Sequence, residues 1–93
     1  MRKNVISVEM SDGTVHGPHR VTFADKVLAE RTFRANGWDL QREPIRLEGF
    51  FGFAALKREG IFTGSYEEFL EQLIDTSFEA GADEDPTQAD TSA

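Results

Sequence analysis

The chain has 93 residues, room for one domain with a modest core, and a formal charge of −7 from 17 acidic and 10 basic side chains. It has no cysteine, which excludes a disulfide framework, thiolate metal sites and thiol chemistry. The negative balance opposes binding to bare phosphate backbones, so no nucleic-acid partner is expected.

Residues 4–16 read as a β-hairpin. Ile6, Val8 and Met10 alternate on one face. Asp12-Gly13 has the composition of a two-residue type I′ turn, which needs positive φ angles. That register puts Met10 opposite Val15 and lengthens the apolar face. His16-Gly17-Pro18-His19 is expected to interrupt the strand, because proline lacks the donor a ladder needs. A lone hairpin is marginal in water, so its apolar face must pack on a helix.

A first helix is expected over about 22–36. Thr22 is its N-cap, Asp25 lies in the first turn and Gly37 stops it. Phe23, Ala24, Val27, Leu28 and Ala35 share one broad face, while Glu30, Arg31 and Arg34 can stay in water. Trp38 follows at once, where an aromatic can lock the turn against the core.

A second helix is expected over about 44–59, opened by Pro44 at a position that needs no N–H donor and closed by Gly60. Its apolar residues, Ile45, Leu47, Phe50, Phe51, Phe53, Ala54, Ala55 and Leu56, cover more than one stripe. Such a helix is either central to the fold or shares a face with a partner. Gly49 and Gly52 lower its intrinsic helicity by roughly 1 kcal/mol each and are read as permitting close packing.

A third helix is expected over 65–78. Ser65 and Glu68 have capping-box spacing, and Tyr66, Phe69, Leu70, Leu73 and Ile74 follow at helical intervals. From Glu79 to the end the chain holds five acids (Glu79, Asp83, Glu84, Asp85 and Asp90) and no base, leaving 12 acids against 10 bases in residues 1–78. Residues 79–93 are expected to form a disordered acidic tail, with nothing to bury that would offset the entropy of ordering. The fold class is thus α+β: a single domain over residues 1–78, with an N-terminal β-hairpin packed on about three helices.

The chemistry of catalysis is thin. His16 and His19 are the only histidines, read as exposed loop residues with no third metal ligand nearby. There is no Gly-x-Ser-x-Gly elbow and no Gly-rich phosphate loop. The carboxylate pairs fall on a solvated helix face or in the tail, where general acid–base work has no desolvating pocket. No enzymatic activity, cofactor or metal is expected. The start of the chain has two basic residues but no apolar core of signal-peptide length, and Phe50 to Leu56 is far too short to span a bilayer. A soluble protein without membrane association is expected.

The aromatic residues are the most informative feature. Eight of them are Phe. Phe50, Phe51 and Phe53 point in different directions, at about 100° per residue. One or two of them must be core, but hiding all three with Phe23, Phe33, Trp38, Phe62, Tyr66 and Phe69 in about 78 ordered residues is difficult. A partner-binding surface is therefore expected among Phe50, Phe51, Phe53, Leu56, Tyr66 and Phe69.

From Val21 to Asp75 the order of motifs resembles the tail assembly chaperones of siphophages, especially those of actinobacterial hosts. A strand pair leads into a helix with Ala24-Asp25-Lys26 and Glu30-Arg31. An aromatic-rich helix closes on Ala55-Leu56-Lys57-Arg58-Glu59-Gly60. A capped helix, Ser65-Tyr66-Glu67-Glu68-Phe69-Leu70, and an acidic segment, Ala82 to Asp90, follow. The family often has Trp in the second helix, where this chain has Phe51 or Phe53.

The resemblance implies a host-cytoplasmic factor, absent from the mature virion, that binds the aggregation-prone, helical tape measure protein and helps the tail tube polymerise around it. It also implies a longer form of the same protein made by ribosomal frameshifting, of which this chain would be the short form; the aromatic surface itself would serve either a partner or self-association. Alternative readings are a small structural virion protein, such as a head–tail connector or tail-completion protein, and an acidic mimic of nucleic acid.

Overall fold

The alternation at Ile6, Val8 and Met10 becomes the middle strand of a three-stranded antiparallel sheet in the computed structural model, which describes residues 2–83. The elements in chain order are β1 (Arg2–Met10), β2 (Val15–Arg20), α1 (Phe23–Asn36), α2 (Pro44–Arg58), α3 (Tyr66–Gln72) and β3 (Leu73–Asp83). The strand order is β2-β1-β3. The α+β class and the three helices stand. The hairpin, the third helix and the start of the expected tail are corrected.

The hairpin turns through three residues rather than two. The Met10 amide donates to the Thr14 carbonyl at 2.8 Å, and the Gly13 amide donates to the Met10 carbonyl at 2.9 Å. Only Gly13 in this loop takes a positive φ, 91°. A type I′ turn would force Asp12 there as well, and a glycine in the last loop position relieves that demand. The Asp12 carboxylate instead accepts the Thr14 amide, a bond that holds its pKa below the ordinary carboxylate value. The extra residue shifts the register by one. Val15 now pairs with Glu9 and is exposed, where the two-residue turn would have set it on the apolar face. The His-Gly-Pro-His segment does not end the strand. Ile6 pairs with His19 and Val8 with His16, so the pairing absorbs Gly17 and Pro18 as a bulge on an edge strand.

The third helix ends at Gln72, six residues short of its expected end, and the chain continues as β3. Thr76 and Phe78 pair with Val8 and Ile6, with Asp75, Ser77 and Glu79 between and beyond them. That is a period of two. Leu73 and Ile74 also satisfy the helical spacing of Tyr66, Phe69 and Leu70, and the helical pattern masked the strand. Long-range pairing decided the outcome, because β3 supplies partners for the second edge of β1. Residues 79–83 of the expected tail therefore belong to the sheet. The rest of it, residues 84–93, lies outside the described residues.

α2 lies across the sheet and is enclosed. All eight residues from Gly49 to Leu56 are buried. Its three phenylalanines serve three different neighbours. Phe50 meets Phe33 of α1 edge-on at 6.1 Å, Phe53 meets Phe69 of α3 at 5.8 Å, and Phe51 stacks on Phe78 of β3 at 5.9 Å. Ile6, Val8 and Met10 complete the core from below.

Polar contacts at the margins tie the elements together. Asp25, the one buried charged residue among those described, completes the Thr22 capping box and pairs with Arg58 at the end of α2. Arg58 also donates to the Arg20 carbonyl at 2.9 Å, so one guanidinium joins α1, α2 and the end of β2. The Tyr66 hydroxyl donates to the Arg46 carbonyl at 2.9 Å, and burial pushes its pKa up. Thr76 donates to Glu48 at 2.5 Å, linking β3 to α2.

Two glycines on α2 give opposite expectations. A Cβ at Gly52 would fall 2.6 Å from Val8 Cγ1, whereas one at Gly49 would meet nothing nearer than 3.5 Å. Gly52→Ala should lose about 1–3 kcal/mol through overpacking. Gly49→Ala should be neutral or gain roughly 0.5–1 kcal/mol from helix propensity. Urea denaturation of the two variants checks this. Removing the charge partner of Asp25 with Arg58→Ala should cost about 2 kcal/mol, read in the same experiment, since a nearly buried carboxylate is left without its cation.

Candidate protein-docking surface

The six residues expected to bind a partner are brought together, but inside. Phe50, Phe51, Phe53, Leu56, Tyr66 and Phe69 are between 0% and 9% exposed and belong to one core cluster. The reason is topological. α2 has the sheet beneath it and α1, α3 and the Phe62 loop around it, so over residues 49–56 each direction its side chains take meets protein. β3, unforeseen in the sequence, supplies the Phe78 ring that covers Phe51. The surface assigned to these six residues is therefore not available.

α1 is where apolar surface remains. Thr22 and Asp25 cap its start, and Gly37, at φ 72°, ends it. Asp25, Ala29 and Phe33, at i, i+4 and i+8, face inward. This turns outward the face expected to be buried. Phe23 is 79% exposed, Val27 38% and Leu28 40%. The helix is oriented by Phe33, which is 1% exposed and packs edge-on against Trp38 and Phe50, and by the Asp25–Arg58 pair. Small Ala29 between them allows close approach to α2.

Two parallel stripes make up the outward face, each following the spacing i, i+4, i+7, i+11. One is Phe23, Val27, Glu30 and Arg34; the other is Ala24, Leu28, Arg31 and Ala35. All eight side chains are exposed. The N-terminal half of the face is thus apolar and the C-terminal half charged, over a helix about 21 Å long. Arg31 and Arg34 make no ion pair among the described residues.

The first stripe runs into a shallow concavity of about 590 Å³ at the end of the helix, lined by Glu30, Phe33, Arg34, Trp38, Leu40 and Gln41 among others. Trp38 is held by Phe33 on its edge and by the Arg46 guanidinium 4.1 Å from its ring centre. Arg46 is fixed in turn by Glu43 at 2.6 Å. Ridge and concavity form one continuous surface.

The other exposed apolar side chains are Val15 of β2, Ile45 of α2, Ile61 in the loop after α2, Leu70 of α3 and Ile74 of β3. His16 and His19 lie half-buried in β2, not in an exposed loop. Among the described residues no group of three or more His, Asp or Glu side chains could hold a metal ion, and no helix is long and apolar enough to cross a membrane.

No family model, curated protein or solved structure matches the chain.

The two sets of aromatics should separate in thermal denaturation followed by circular dichroism. Phe51→Ala or Phe53→Ala should lose about 3–5 kcal/mol of stability, the range for emptying a buried Phe site. Phe23→Asp should stay within about 0.5 kcal/mol of the parent.

Proposed function

We propose that this protein is a non-enzymatic tail assembly chaperone, which holds the tape measure protein of a long-tailed phage in the host cytoplasm while the tail tube assembles around it. The observation that carries this reading is the outward face of α1, with Phe23, Val27 and Leu28 exposed side by side on a helix whose other side is anchored in the core. A chaperone for a helical client needs such a face. Helices pack by setting the ridges of one into the grooves of the other, and a rigid helix with two parallel stripes supplies both. The net charge of −7 keeps a protein with exposed apolar surface dispersed. The order of motifs from Val21 to Asp75 supports the family reading. The client-binding role moves from the α2 aromatics, which are core, to α1.

Co-expression with the tape measure protein encoded downstream should raise the soluble fraction of that protein severalfold, and Phe23→Asp should abolish the gain. An unchanged soluble fraction, with no complex on size exclusion, would rule the proposal out. A stoichiometric amount of the chain in purified particles would favour a structural virion protein instead.

A further inference from the structure

Resting on the reading of α1 as the client-binding element, we infer that the client segment is an amphipathic helix with an acidic end, laid along α1 so that its apolar residues meet Phe23, Val27 and Leu28 and its carboxylates meet Arg31 and Arg34. The local charge on α1 is opposite in sign to that of the whole molecule. Its exposed side chains include Lys26, Arg31 and Arg34 against the single acid Glu30, on a protein whose formal charge is −7. Arg31 and Arg34 have no carboxylate partner among the described residues, and Arg presents a planar fork suited to one.

The two halves of the face constrain the ligand jointly. A polyphosphate chain would leave Phe23, Val27 and Leu28 uncovered and would be repelled by the molecule as a whole. A purely apolar helix would cover Arg31 and Arg34 without pairing them, which costs desolvation. A second copy of α1 also fits poorly. Laid antiparallel along its length, its apolar half would meet the Arg half of the first. Laid parallel, Arg31 and Arg34 would meet their own counterparts. An acidic-ended amphipathic helix satisfies both halves at once.

Two synthetic helical peptides with the same Leu/Ala face, one with glutamates and the other with lysines at its polar end, test this against the full chain by fluorescence anisotropy. The glutamate peptide should bind about tenfold more tightly, as expected for two exposed charge pairs made rather than opposed. The double variant Arg31→Glu/Arg34→Glu should reverse that order, and Phe23→Asp should abolish binding of both peptides. All these side chains are exposed, so the melting temperatures of the variants should stay near the parent value and exclude misfolding as the cause. Equal affinity for the two peptides, with dependence on Phe23 retained, would overturn the acidic-end inference and leave α1 as a docking face. Absence of binding, or binding insensitive to Phe23→Asp, would overturn both. A dimer in sedimentation that Phe23→Asp dissolves would assign the face to a second copy and overturn the inference.

Discussion

The closeness of α2 to the central strand governs this fold. Val8 Cγ1 stands only 2.6 Å from where a Cβ on residue 52 would be, so the helix rests on the sheet with only a glycine between them. At that distance the sheet covers the underside of α2 while α1 and α3 close its flanks, and every residue from Gly49 to Leu56 is buried. A bulkier residue at position 52 would lift the helix. The interdigitation of Phe50 with Phe33, Phe53 with Phe69 and Phe51 with Phe78 would loosen with it, because close-packed interiors transmit such displacements.

The polar contacts follow from this arrangement. A buried helix leaves its ends and margins as the places where charge can be kept wet, and there the chain sets its ties between elements. Arg58 reaches Asp25 and the Arg20 carbonyl, Tyr66 reaches the Arg46 carbonyl, and Glu48 accepts from Thr76. No buried side-chain nitrogen or oxygen among the described residues lacks a partner. The Asp25–Arg58 pair has a further consequence. Together with Phe33 in the core it sets the rotation of α1 about its own axis, and that rotation decides which side chains the helix presents to solvent. A core dominated by aromatic rings around α2 thus left the apolar stripes of α1 outside, where they support the proposed docking role.

Much of the architecture was legible along the chain. The capping signals at Thr22 and Ser65, proline at the start of α2 and glycine after α1 and α2 mark the helices to within a residue or two, apart from the end of α3. The candidate site was not legible, for two reasons. Phe51 has no neighbour in any sequence window that foretells Phe78 lying against it. α1 also carries two faces of similar apolar content. Phe23, Val27 and Leu28 lie on one and Ala29 and Phe33 on the other, and periodicity alone does not say which will meet α2.

Local interactions were enough for the sequence by itself to set the helix starts, the α+β class, the over-aromatic character of α2, and the apolar alternation of β1. Caps, turns and side-chain periods act within a few residues, so they can be read within a few residues. The tertiary structure alone decided the remainder. It made residues 73–83 a strand because β1 had an open edge, and chose the inward face of α1 through Arg58 and the rings around Phe33. Each of these outcomes rests on contacts between segments distant in the chain, whose free energy exceeds the small local preference they override.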